Sequence, residues 1–255
     1  MPPRILAIAG SDSSGGAGIQ ADIKTITMLG GYAMTAVTAV TAQNTTGVHA
    51  IDVMSWDMVR EQVDACFNDI GVDAVKIGMI GSAETAMFLA DNLLMRLAPS
   101  FGGRTFPIVF DPVMIATSGA VLADEATIRA FDRLMKLATV TTPNVAELAA
   151  LGGRDGMAPR EVAYLAKGGY AEGPEVEDRL VQPGRDDVVW RSPRIDTHHT
   201  HGTGCTLSSA IATLLGKGLP LEEAIGEARE FVRKALLAAP GFGAGHGPMG
   251  HQAVR

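Results

Sequence analysis

Cysteine is scarce in this 255-residue chain: only Cys66 and Cys205 occur, far apart and outside any CxxC or Cys/His spacing. That excludes a disulfide framework and a structural zinc site, and it favours a reducing, cytoplasmic setting. Long runs of one charge are also missing, and the formal net charge is -7, so neither a nucleic-acid arm nor a membrane-binding patch is expected. Small molecules are the expected partners. Apolar stretches are interrupted by Gly, Thr or Lys before they could span a bilayer, and "MPPRILAIAG" is too short for a signal-peptide core. No G-x-x-x-x-G-K-[ST] occurs, so a phosphate cradle would have to be built differently from a P-loop. The histidines of "HHTH", with His246 and His251, lack zincin spacing and read as loop or phosphate-side residues.

What is present is an alternation of strand and helix signals. "RILAIAG" is a short apolar run closed by Gly, and "GIQADIKTITMLGGY" carries Ile19, Ile23, Ile26 and Leu29 at helical spacing. Strand character follows in "AMTAVTAVTAQN", "AVKIGMI", "PIVFDPVM", "TVTTPN" and "VAYLAKGG", with "DDVVWRSPRI" reading as a hairpin arm. Helical segments are "SWDMVREQVDACFNDI", "SAETAMFLADNLLMRLA", "DEATIRAFDRLMKLA" and "NVAELAALGG", and two closing helices are predicted over Thr206 to Leu215 and Leu221 to Ala239. Such alternation predicts a mostly parallel sheet covered on both faces, with ligands at the carboxyl ends of the strands.

Several segments point to chemistry. "AGSDSSGGAG" joins the first strand to the first helix, and its backbone amides could approach a ligand that side chains would exclude. Gly16, Gly18 and Ala21 fit G-x-G-x-x-A, but the loop is long and the second strand ends without an acid to hold a ribose. "HGTGC" opens a helix whose unpaired amides and dipole form an anion hole, which would stabilise a Cys205 thiolate; a buried, inert cysteine is the plainer reading. Asn144 and Glu147 lie three apart and could face a metal-bound phosphate, although Asn at such a position commonly serves as a helix cap. Lys76 and Asp111 are charges on or closing otherwise apolar strands.

In order along nearly the whole chain, "AGSDSSGGAGIQADIKT", "AVTAQNTTGV", "VKIGMIGS", "FDPVMIATSG", "TPNVAEL", "KGGY", "THGTGCTLSSAIA" and "GHGP" resemble the hydroxymethylpyrimidine kinase/phosphomethylpyrimidine kinase family of thiamin biosynthesis. The resemblance implies a ribokinase-like α/β fold over residues 1–255 as one domain. It implies phosphorylation of 4-amino-5-hydroxymethyl-2-methylpyrimidine by ATP, then of the monophosphate to the diphosphate. In this branch a cysteine follows Gly-Thr-Gly where an aspartate base is usual, so Cys205 is the implied base, with Gly202, Thr203 and Gly204 around the phosphates. Gln43 matches the pyrimidine-binding glutamine, and Asn144 and Glu147 match the N-x-x-E motif for Mg2+ and phosphate. Gly10, Asp22 and Met79 are implied on the substrate side, Asp111 and Lys167 on the nucleotide side, with Lys76 a further matched position. Family members are commonly homodimers. Pyridoxal kinase activity is a close alternative and a non-catalytic small-ligand module a distant one. Between "TPNVAELAALGG" and "KGGY" the chain is shorter than the family pattern, yet it retains enough residues for a parallel crossover.

Overall fold

The structure, a computed structural model, describes residues 1–98, 105–116, 119–169 and 173–254. The chain alternates strand β1 (Arg4–Asp12), helix α1 (Gly18–Met28), the long strand β2 (Tyr32–Asn44), β3 (Gly47–Val53) and α2 (Trp56–Ala65). It continues with β4 (Ala74–Ile77), α3 (Ala83–Leu97), β5 (Ile108–Phe110), α4 (Glu125–Leu137), β6 (Val140–Thr141) and the short α5 (Val145–Ala150) and α6 (Gly153–Met157). The remainder is β7 (Tyr164–Ala166), β8 (Glu175–Val181), β9 (Val188–Pro193), α7 (Thr203–Gly216) and α8 (Leu221–Leu237). Helix starts follow local chemistry: Ser55, Ser82, Asp124 and Asn144 each accept a backbone N–H of the first turn of α2, α3, α4 and α5.

The strands form one nine-stranded sheet in the order β3-β2-β1-β4-β5-β6-β7-β8-β9. From β2 to β7 every pairing is parallel, whereas β3 and the β8-β9 hairpin are antiparallel additions at the two edges. The segment between β6 and β7 makes a parallel crossover, because Thr141 of β6 pairs in parallel with Tyr164 of β7. Two strands carry no expectation from the sequence. β3 is an exposed edge without an apolar alternation, and β8, "EVEDRLV", is dominated by charge. The residues 117–118 of "FDPVMIATSG" and Tyr170 of "KGGY" lie outside the described residues.

Successive strand residues face opposite layers. Leu6, Ile8, Val75, Ile77, Ile108 and Phe110 pack beneath α2, α3 and α4, while Ile5, Ala7, Ala74 and Val109 pack beneath α1, α7 and α8. Both faces of the central strands are therefore buried, which is why they read as continuous apolar runs. β1 is the switch point: it pairs with β2 on one side and β4 on the other, opening a crevice beyond its carboxyl end.

Behind α7, the buried imidazole of His251 lies 2.8 Å (Nε2) from Thr206 Oγ1. Burial, reinforced by the Lys24 charge, pushes this imidazole down to about 4. The unfolded chain then binds a proton that the folded chain refuses, so stability is full above the ordinary histidine value and is lost as pH falls toward 4. A loss of about 3 kcal/mol is expected over that window. Urea titrations of wild type and His251→Gln should show the difference in pH slope; equal slopes would contradict it.

Candidate active site

The carboxyl ends of β1, β2, β4, β5, β6 and β7 and the start of α7 surround one cavity of about 500 Å³. Of the expected site residues, Gly10, Gln43, Met79, Asp111, Asn144, Glu147, Lys167, Gly202, Thr203, Gly204 and Cys205 all line it. Asp22 does not. It is fully buried in α1, with both carboxylate oxygens 2.9 Å from Lys76 Nζ and the Ser209 hydroxyl donating to it at 2.7 Å. The expectation of a substrate contact at Asp22 is therefore corrected: its role is to neutralise Lys76 beneath the cavity. A charge buried this deeply is stable only with its partner.

Helix α7 begins at Thr203, three residues earlier than its apolar periodicity suggests, so Cys205 sits inside the first turn. Gly202 caps it at φ 85, and a Cβ there would come within 1.9 Å of the Gly16 carbonyl oxygen. Only glycine lets the two loops touch. The amides of Gly204 and Cys205 belong to the unpaired first turn and point negative ligands toward the helix start. Lys167 and Asp111 approach the same point: a Cβ on Gly204 would lie 3.2 Å from Lys167 Nζ and 3.4 Å from Asp111 Oδ2.

The Cys205 thiol differs from expectation. Burial pushes it up to about 11; the Lys76 charge works in the opposite direction, and Asp22 and Asp111 add to the rise. A backbone N–H of Gly18 favours the thiolate without reversing the shift. The helix start therefore does not supply a standing thiolate, because desolvation outweighs the favourable contacts.

On the other side, Asn144 and Glu147 form a reciprocal cap: Asn144 N donates to Glu147 Oε2 at 2.8 Å, and Glu147 N donates to Asn144 Oδ1 at 2.9 Å. The plainer reading of Asn144 as a cap thus holds while both side chains still face the cavity. Burial pushes the Glu147 carboxyl up to about 7; Lys167 opposes the rise and Asp111 adds to it. Lys167 Nζ donates to Asp111 Oδ1 at 2.7 Å and lies 3.9 Å from Glu147 Oε2. Burial would lower this ammonium, but the two carboxylates outweigh it and hold it above its usual range. It is a fixed cation beside the anion hole.

Sequence reasoning missed two pairs at this cavity. Asp12 meets His201, and Asp178 of β8 meets Arg229 of α8, with Arg229 Nε donating to Asp178 Oδ2 at 2.7 Å. The other oxygen of Asp178 accepts the N–H of Gly168 at 2.9 Å, which pins the backbone next to Lys167. Nothing local marks these partners, since each pair joins distant segments.

The fold is that of ribokinase-like small-molecule kinases. A pyridoxal kinase from Bacillus subtilis, solved as an ADP complex, superposes with a TM-score of 0.86 at 32% identity, covering 100% of this chain and 99% of that one. A phosphomethylpyrimidine kinase from Clostridium difficile gives a TM-score of 0.74 at 36% identity, covering 91% of this chain and 99% of that one. Among curated proteins, a hydroxymethylpyrimidine/phosphomethylpyrimidine kinase from Rhizobium meliloti is 44% identical over a gapped alignment of 265 positions that covers 96% of this chain and 96% of that one. The profile of the phosphomethylpyrimidine kinase family matches residues 12–250, and the chain belongs to that family.

Proposed function

We propose that the protein transfers the γ-phosphoryl group of ATP to the hydroxymethyl group of 4-amino-5-hydroxymethyl-2-methylpyrimidine, and then a second phosphoryl group to the monophosphate. The observation that carries this reading is that one cavity gathers Gln43, the Gly202–Cys205 helix start and Lys167. Gln43 supplies both a donor and an acceptor for an aminopyrimidine edge. The amides of Gly204 and Cys205, with Lys167, neutralise charge on the transferring phosphoryl group, which is where most of the catalysis of such a transfer arises. Cys205, when ionised, takes the hydroxyl proton late in the first transfer.

Mg2+ fits this site. Among the described residues no three ligating side chains cluster, so those residues offer no complete cage. An ion that keeps its waters and takes phosphate oxygens needs only one or two carboxylates. Glu147, with Asn144 beside it, would hold it, and it would supply positive charge to the phosphate oxygens.

A second reading, pyridoxal kinase, is favoured by the likeness to the Bacillus subtilis enzyme. Parallel assays of purified protein with the aminopyrimidine and with pyridoxal decide between the two, and no ATP turnover with either would return the protein to a binding module. A homodimer and a cytoplasmic location complete the reading, supported by the uncovered apolar edge at Val40, Ile51 and Val53 and by two free cysteines.

Gln43→Leu is expected to weaken pyrimidine binding by about 1–3 kcal/mol, because polar edges of the ring would be left unpaired, with nucleotide affinity unchanged. Calorimetric titration reads both affinities. Equal pyrimidine affinity in the two proteins would remove Gln43 from the site.

A further inference from the structure

Asp12 closes β1, and His201 immediately precedes the glycine that opens α7. Both line the cavity and both are nearly sealed, at 2% and 4% exposure. The Asp12 carboxylate accepts from Ser14 N at 2.8 Å, the Ser14 hydroxyl at 2.8 Å, Gly16 N at 3.1 Å and Ala17 N at 2.8 Å. His201 Nε2 is a further partner at 2.8 Å. Burial alone would raise this carboxyl, but the hydrogen bonds from His201, Ser14 and Ala17 outweigh it and hold it below its usual range. Asp12 is thus ionised at neutral pH and can only accept, so His201 must present Nε2 with its proton.

That assignment bears on Gln43. The amide nitrogen of Gln43 lies 3.5 Å from the same His201 Nε2, and the Thr41 hydroxyl is 3.2 Å from Gln43 Oε1. A ring nitrogen that donates to Asp12 cannot also accept a hydrogen from Gln43. We propose that Asp12 and His201 are positioning residues for the heteroaromatic substrate: Asp12 fixes the tautomer of His201, and this keeps the Gln43 amide hydrogens available to a ring nitrogen of the ligand. The same bond ties the 13–17 loop to the start of α7, where Gly16 and Gly202 leave no room for a side chain. Were Asp12 neutral, the imidazole could turn acceptor and capture Gln43 itself.

The inference rests on the proposed pyrimidine reading, and its test separates the two. Asp12→Asn and His201→Asn are each expected to raise the pyrimidine KM by about tenfold, the size of one misdirected hydrogen bond, with the ATP KM little changed. His201→Gln keeps a side-chain N–H that can reach Asp12 and cannot accept through it, so it should recover most of the loss. Equal rises in both KM values, or an unchanged pyrimidine KM in Asp12→Asn, would overturn the proposal. Nitrogen NMR of the wild-type imidazole needs neither turnover nor a stable variant: a protonated Nε2 on His201 supports the assignment, and an Nδ1–H tautomer sinks it. Absence of pyrimidine turnover in wild type would instead count against the functional reading.

Discussion

Cys205→Ala is expected to lower the first phosphoryl transfer by about 10²–10⁴-fold, the range for a lost general base, with little change in substrate KM. The pH profile should carry the signature. A neutral thiol has no means of accepting the hydroxyl proton, and burial pushes this thiol up to about 11. Only the thiolate fraction acts, so above about pH 8, where Glu147 is already ionised in both proteins, the wild-type rate should climb about tenfold per pH unit until the thiol titrates, while the alanine variant stays flat over that range. The deficit is then largest at alkaline pH. The second transfer goes to a phosphate oxygen that is already ionised and needs no base, so it should lose less. Rapid-quench measurement of the two steps across pH reads all of this. Parallel profiles and equal losses in both steps would show that the thiol acts through site geometry.

Lys76→Met should destabilise the fold by about 3–5 kcal/mol, the cost of leaving a buried carboxylate without its partner. Lys76 and Asp22 are both 0% exposed and meet at 2.9 Å. Replacing both, as Asp22→Asn with Lys76→Met, should recover most of the loss, because neither desolvated charge remains. Urea unfolding of the three proteins decides it. A single variant as stable as wild type would mean that Asp22 folds protonated, for which its burial already provides a bias, since desolvation raises its carboxyl more than Lys76 lowers it. The same double variant also probes the cysteine. The pair flanks the thiol electrostatically with opposite signs, and removing both should shift the alkaline limb of the rate profile less than removing Lys76 alone.

Much of the fold is legible in local pattern. The apolar runs of β1, β4 and β5 announce strands buried on both faces, and the amphipathic spacing and caps of α3 and α4 mark their ends. β3 and β8 were not legible, because an exposed edge and a charged hairpin arm need no apolar periodicity; their strand identity comes from the neighbour they pair with. The α7 start was displaced for a related reason. Thr203 and Gly204 carry no apolar signal, and glycine is a poor helix former, but the contact between Gly202 and Gly16 fixes where the helix begins.

The sequence by itself determined the kind of fold, the alternation of its central strands and helices, and the segments that close the strands at the cleft. Those properties depend on side-chain periodicity and on turn residues, which act over a few positions. Only the tertiary structure decided that Asp22 pairs with Lys76 across 54 residues and that Asp12 meets His201 across 189. It also decided that the Cys205 thiol is raised rather than lowered. Pairing and desolvation depend on which distant groups surround an atom once the layers have packed, and that environment has no local signature in the chain.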